Sequence, residues 1–524
     1  MLLPFLLSLL TLCCSSYKIL VYNPKAAYSH MNFMGKIADT LVDAGHEVVT
    51  LQPVILQSEW NGTKKSRIIH VEMDRRVLEG LIGDRKESSE MWTASVASLS
   101  SFVGNILFLK ALTTATVTRL LDNKDLLEQL KSEDFDVGIA ELFDFAGIPV
   151  FQAIGLENIV GAHSLGSLPE GTAYSIGVPV IPSFMPASQG ISDDSTSFSN
   201  RALNLLYTYM SRYFQTSIAS AAEAVMVEKL GKNATPIWDV VSNMTWILTN
   251  TEPFLEFAKP TLHKVVDIGG IGVPEPKPLE KKWDRILSIR PHTVLISFGS
   301  MVTSKAMPYE YKRAIIKLVK SFPDITFIWK YEEPEEAPFA AGVENLFLSK
   351  WMPQNDLLAD ERLSLFITHC GAGSLLESAT RGKPLIAIPL YGDQMRNANL
   401  AVKFGFGIIV NKENLKDSAV MHDAIEKIIG DEKYLKAARR IRNILARRPF
   451  PPEEKLVKTV ELAAEFGSIP ELYVAGRNLN FIVYHNIDLF LILFIVCSLV
   501  IFTILYCVTK VLRALRKKDK AKTQ

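Results

Sequence analysis

Trp351-Met352-Pro353-Gln354-Asn355-Asp356, Phe366-Ile367-Thr368-His369-Cys370-Gly371-Ala372-Gly373-Ser374-Leu375-Leu376-Glu377 and Pro389-Leu390-Tyr391-Gly392-Asp393-Gln394 form the densest run of chemically committed residues in the chain. Residues 365–368 read as a buried strand, and the small residues after them lead into a helix whose first turn holds Ser374. Free backbone N–H groups and the positive end of the helix dipole then face whatever lies beyond the strand, and an anion such as a diphosphate fits that place. His369, at the carboxyl end of the strand, can donate to the same phosphates. Glu377, one turn into the helix, can accept both hydroxyls of a ribose, and Trp351 offers a flat face for a base, a contact worth ~1–3 kcal/mol. Gly371-Ala372-Gly373 opens like the dinucleotide fingerprint G-x-G-x-x-G, but no third glycine follows and no early acidic partner is evident. A turn built only for close helix packing would explain the glycines but not the polar residues around them.

Working outward, residues 293–297, 325–329 and 385–388 read as further buried strands, with a helix over 309–320 between the first two. Upstream, the Pro-rich and charged stretch 273–281 (VPEPKPLEK) suits a linker. Before it the alternation begins again: a strand over 19–22, a loop over 23–30 and a helix with Met34, Ile37, Ala38, Leu41 and Val42 on one stripe. A strand over 47–51, a helix over 125–131 and a strand over 137–140 follow. The expected fold class is α/β, with two doubly wound Rossmann-like domains, one at 17–272 and one at 282–450. Residues 451–488 hold an amphipathic helix (453–466) and a membrane-proximal stretch. Residues 60–121 carry no readable motif and are expected to be loops that shape a second ligand site.

The two ends address the chain to a membrane. Residues 1–16 read as a secretory signal, with an apolar run followed by small residues, although the usual positive start is missing. Residues 489–508 are 20 uncharged residues, enough at ~1.5 Å each to cross ~30 Å of hydrocarbon. The tail 509–524 is basic, with Lys510, Arg513, Arg516, Lys517, Lys518, Lys520 and Lys522 against Asp519, so it belongs in the cytosol and the body in a lumen. Lys520 and Lys522, at fixed distances from the end, resemble a dilysine retrieval signal, which implies the endoplasmic reticulum. Sequons at Asn61, Asn233 and Asn243 agree with that topology. Cys370 is the one cysteine left in the body, so no internal disulfide framework forms there. With 57 Lys+Arg against 56 Asp+Glu, the net charge of +1 gives no general attraction to nucleic acid.

The stretch from Trp351 to Gln394 resembles the signature of the UDP-glycosyltransferase family, which includes the animal UDP-glucuronosyltransferases, and fainter agreement covers the rest of the chain. The resemblance implies an inverting GT-B enzyme that moves a hexose, glucuronic acid first and glucose as the alternative, from a UDP-sugar to a hydroxyl of a small lipophilic acceptor. It implies Trp351 and Gln354 at uridine, Glu377 at the ribose, His369, Ser374 and Ser300 at the diphosphate, and Asp393 with Gln394 at the sugar. Gly373 stands where many animal members have Asn, so backbone N–H of the Gly371–Gly373 turn replaces a side chain there. The family's base is a His at the motif that reads Ser29-His30 here, and imidazole titrates in the range that such a base needs. Its orienting carboxylate is Glu141, where many members have Asp, or Asp144 three residues on.

Neither H-E-x-x-H, paired C-x-x-C nor D-x-D occurs at a site, so neither metal nor cofactor is expected. A bilayer and a homo-oligomeric partner are compatible with the reading. A rival appears in Ala162-His163-Ser164-Leu165-Gly166, which is shaped like a hydrolase nucleophile elbow, although Pro169 and Gly171 interrupt the helix an elbow needs and no downstream His occupies a strand-end loop. A catalytically silent binding protein of the same fold is the alternative from another class, and pairing of His30 with a carboxylate separates the two.

Overall fold

The computed structural model describes residues 16–82 and 89–522, with side chains through 516. The expected signal, Ser16 apart, and the side chains of Lys520 and Lys522 therefore lie outside the described residues.

Two sheets, each wholly parallel, organise the body. The first takes β1 (Lys18–Tyr22), β2 (Glu47–Val54), β3 (Arg67–Glu72), β4 (Val137–Glu141), β5 (Ile159–His163), β6 (Ile247–Thr249) and β7 (Val265–Asp267) in the order β3-β2-β1-β4-β5-β6-β7. The second takes β8 (His292–Ser297), β9 (Ile325–Lys330), β10 (Leu346–Ser349), β11 (Leu363–Thr368), β12 (Leu385–Ala387) and β13 (Gly407–Ile409) in the order β10-β9-β8-β11-β12-β13. Both are doubly wound Rossmann-like sheets. The central strands β1, β4, β8 and β11 are runs of Ile, Leu, Val and Phe buried on both faces, as helix-covered parallel strands require. In each sheet the strand order reverses beside the first strand, at β1/β4 and at β8/β11, the points where sheets of this kind take ligands outside their carboxyl ends.

Helices cover both faces. α1 (Tyr28–Asp43) buries the expected stripe Met34, Ile37, Ala38 and Leu41 and stops at Ala44-Gly45, where Gly45 takes φ +94°. α2 (Leu99–Asp122) and α3 (Phe198–Leu230) pack on each other, with Phe102 and Phe214 at 6.1 Å. The stretch 60–121 is therefore not a set of loops: it holds β3, a helix at Arg75–Ile82 and α2. α2 is long and apolar enough to cross a membrane, but its Leu112, Val117, Leu120 and Leu121 are core residues. Its buried side also carries Thr113 and Thr116, the latter bonded to the Leu112 carbonyl, and these hydroxyls blur its stripe in the sequence.

In the second lobe α4 (Gln354–Ala359), α5 (Ala372–Arg381) and α6 (Gln394–Lys403) each start at a strand end or strand-end loop. α7 (Pro452–Phe466) returns to the first sheet and packs with α1, its Leu456, Val460 and Ala463 fully buried beside Ile19, Phe33 and Val160. Each larger aliphatic so buried contributes about 1.5–3 kcal/mol. The lobes interlock elsewhere too. Trp92, from the first lobe, is buried in the second, its N–H on the Thr303 carbonyl at 3.1 Å and its ring edge-on to Phe298 at 5.0 Å.

Residues Tyr473–Gln524 are a separate unit. They contain α8 (Ile487–Lys522), of which Ile487–Arg516 is long and apolar enough to span a bilayer; it is entirely unburied and brackets the expected 489–508.

Candidate active site

Three strand ends of the first sheet meet around one imidazole. His30 lies in the first turn of α1 rather than in the preceding loop, because Ala27 is the last extended residue and the helix begins at Tyr28. Register pairs Glu141 with Ala162, so the last residue of β4 lies alongside the end of β5 and next to Ser164. The His30 side chain is 14% exposed. Its Nδ1 is 2.6 Å from Ser164 Oγ and 3.7 Å from Glu141 Oε2. The Ser164 N–H donates to Glu141 Oε1 at 3.4 Å, and the Asn250 amide donates to the Ser164 carbonyl at 3.0 Å. Phe143 packs edge-on against the imidazole at 4.6 Å. Glu141 is fully buried, and its Oε2 has no hydrogen-bond partner.

Asp144, the other candidate, is engaged elsewhere. It accepts from the Tyr22 hydroxyl at 2.8 Å and the Ala146 N–H at 3.1 Å, and burial pushes its carboxyl up to about 6. Of the two carboxylates, Glu141 is the one in ion-pairing reach of the imidazole. Ser164 had stood out only as an elbow nucleophile, and its bond is to the upstream His30. No local motif could have shown this, since residues 30, 141 and 164 meet only through the parallel register.

On the second lobe, β11 ends at Thr368 and the chain passes through His369 into Cys370, whose φ of +62° turns it so that Gly371 can cap the start of α5. His369 is clasped between glycines: a Cβ on Gly299 or on Gly371 would come within 2.7 Å of its ring. Burial holds its pKa down, to about 4, against the Ser297 carbonyl that raises it, so the ring is neutral near pH 7. Lys330 donates to the Gly299 carbonyl at 2.7 Å and fixes that loop, and Ser300 is exposed in the turn just beyond. Gly373 is exposed with open space around it, while Ser374 is buried in the first turn of α5.

Gln354, which opens α4, donates to Glu377 Oε2 at 2.5 Å, and burial pushes Glu377 up to about 7. Trp351 is 60% exposed and meets the Tyr28 ring edge-on at 5.6 Å. Tyr28, raised to about 12 by burial and then by the charge of Glu377, lies two residues from His30, so the first turn of α1 touches the cluster around Trp351 and Glu377. Asp393 opens α6, accepts from the Asn397 amide at 3.0 Å and is pushed up by burial. His30 is among the charges that act on it. Gln394 is used differently from expectation: its Oε1 accepts from the Leu390 and Tyr391 N–H groups at 2.8 and 3.2 Å, leaving only the amide nitrogen for a ligand. Between the lobes a Cβ on Gly166 would sit 3.2 Å from that of Ala372.

A helix start suited to an anion on one doubly wound lobe, facing a carboxylate-flanked imidazole on another, is the arrangement of a GT-B glycosyltransferase. Solved structures share the fold. The glycotransferase of kitacinnamycin gives a TM-score of 0.56 at 14% identity, over 86% of this chain and 99% of that one. Spinosyn rhamnosyltransferase SpnG, complexed with thymidine diphosphate, gives 0.53 at 17%, over 85% and 100%. Residues 17–522 match the family described as UDP-glucoronosyl and UDP-glucosyl transferase, and the chain belongs to it. UDP-glucuronosyltransferase 1A9 of Mus musculus is 28% identical over 91% of this chain and 89% of its own length. Caenorhabditis elegans ugt-48 is 29% identical over 92% and 93%. The protein is accordingly an enzyme that transfers glycosyl groups from UDP-sugars.

Proposed function

We propose that this enzyme transfers glucuronic acid from its UDP conjugate to the hydroxyl of a small lipophilic acceptor, with His30 as the base. The observation that carries the proposal is the geometry at His30: Nδ1 is held by Ser164 beside Glu141, while among the described residues none hydrogen-bonds Nε2. As the acceptor oxygen attacks C1 of the sugar, its proton passes to Nε2, the bond from C1 to the diphosphate oxygen breaks, and UDP leaves with the electron pair. Glu141 stabilises the imidazolium that forms. The growing charge on the diphosphate meets the amino end of α5, Ser374 and Ser300, with His369 packed beside them. Uridine rests on Trp351 and Gln354, its ribose on Glu377, and the sugar hydroxyls on Asp393 and the amide nitrogen of Gln394. The choice of glucuronic acid follows the mouse relative.

In this reading residues 17–272 bind the acceptor, 282–450 bind the donor and 273–281 connect them. α8 anchors the chain in the endoplasmic reticulum membrane with the body lumenal and the basic tail 509–524 cytosolic. Glycans belong on the sequons at Asn61, Asn233 and Asn243, of which Asn233 and Asn243 are exposed and Asn61 accepts from Lys25 at 2.7 Å. The test is an assay of microsomes containing the full chain against a panel of UDP-sugars and mixed phenols, with and without a chelator. A glucuronide formed at a chelator-insensitive rate is expected. Transfer of glucose alone would overturn the sugar, and loss restored by Mn²⁺ would overturn a diphosphate neutralised by protein groups.

Glu377 gives the site a pH signature. Its carboxyl, at about 7, must ionise to accept two ribose hydroxyls, so affinity for the UDP-sugar should rise as pH increases through 7. Glu377→Gln should bind more weakly and lose that dependence. Calorimetry between pH 6 and 8 checks this; an identical slope in the variant would remove Glu377 from the ribose.

A further inference from the structure

We infer that Ser164 is a positioning residue for the base: it fixes the tautomer and orientation of His30 and ties the imidazole to Glu141. The inference rests on the reading of His30 as base. For Nε2 to take a proton it must carry the lone pair, which requires the hydrogen of the neutral ring to be on Nδ1. The partner on Nδ1 therefore decides whether the ring is competent. That partner is Ser164 Oγ at 2.6 Å, much closer than Glu141 Oε2 at 3.7 Å. The hydroxyl is an acceptor that a hydrogen on Nδ1 can reach without moving the ring.

The same residue also holds the carboxylate. Its N–H donates to Glu141 Oε1, and its carbonyl is fixed by the Asn250 amide, so one buried residue sets the imidazole and the carboxylate at a defined separation. Glu141 Oε2 is left without a hydrogen bond, a charge aimed at the imidazolium that forms when Nε2 is protonated. Ser164 thereby supplies the short contact, and Glu141 the charge, that an orienting carboxylate alone would provide.

The geometry excludes Ser164 as a nucleophile. A serine activated by histidine bonds the nitrogen opposite the one facing the acid. Here serine and acid share Nδ1, leaving Nε2 to the acceptor. α/β-hydrolase elbows also turn straight into a helix, whereas Glu170 is the first helical residue after Ser164.

The test compares full-length wild type with Ser164→Ala, Glu141→Gln, the double variant and His30→Ala, measuring kcat, KM for UDP-glucuronate and UDP affinity. Ser164→Ala removes the hydroxyl and keeps the N–H that holds Glu141. It should lower kcat about 10- to 100-fold, the scale of a misplaced reacting group, with KM for the donor and UDP affinity unchanged. The double variant should fall well short of the product of the two single losses, because both act through one imidazole. A Ser164→Ala rate within twofold of wild type, a loss carried by donor KM, or fully multiplicative losses would overturn the inference. The base reading fails separately: if His30→Ala retains its rate, that reading falls, whereas a large loss in His30→Ala with none in Ser164→Ala removes Ser164 alone.

Discussion

His30→Ala should lower kcat by about two to four orders of magnitude, the usual span of general acid–base catalysis. UDP affinity should stay close to that of wild type, because the groups that would hold the nucleotide, from Trp351 to Glu377, belong to the other lobe. The first turn of α1 reaches that lobe through Tyr28, which rests edge-on against Trp351, so the substitution must leave Tyr28 in place; alanine, a strong helix former, does so. Single-turnover rates together with calorimetry for UDP separate the two quantities. An equal loss in both would mean that His30 supports the nucleotide rather than the acceptor.

Glu141→Gln is the second large effect. It keeps the shape of a fully buried side chain and an oxygen for the Ser164 N–H, but removes the charge that the imidazolium needs 3.7 Å from Nδ1. The rate should fall on the order of 100-fold or more, as it does when the acid behind a catalytic histidine is neutralised. Asp144→Asn should stay within a small factor of wild type, since the amide oxygen can still accept from the Ala146 N–H while the amide NH2, in place of the other carboxylate oxygen, donates to the Tyr22 hydroxyl. Steady-state rates of the two variants side by side check the contrast. The reverse order would move the catalytic carboxylate to Asp144.

The half of the candidate site proposed to bind the donor was legible because its groups are contiguous. Trp351, Gln354, His369, Ser374, Glu377 and Asp393 follow strand ends within one segment, so hydrophobic runs and helix starts placed them in the fold, while the roles expected of Gln354 and Asp393 came from the family resemblance. The Gln354–Glu377 bond was hidden, as was the pair of backbone N–H groups that turn Gln394 inward, because side-chain pairing across a loop leaves no periodic trace. The half proposed to carry the base was legible only in part. His30 could be placed near the end of β1, but the choice between Glu141 and Asp144 depends on which carboxylate Tyr22 occupies, a contact 122 residues apart. Ser164 carried a misleading local pattern, and its orientation toward an upstream histidine is a product of the β4–β5 register. The same limit hid Trp92, one aromatic residue whose core belongs to the opposite lobe. α7 was visible as an amphipathic helix, while its partner, the first sheet, was not.

A base that takes the acceptor proton as that oxygen attacks C1 leaves no role for a nucleophile from the protein, so one displacement must invert the sugar. The most direct measurement is the anomeric configuration of the product by proton NMR, starting from a UDP-sugar of known α linkage. A β-linked product is expected. An α-linked product would require two displacements through a glycosyl-enzyme, and would contradict an acceptor activated at His30 for direct attack.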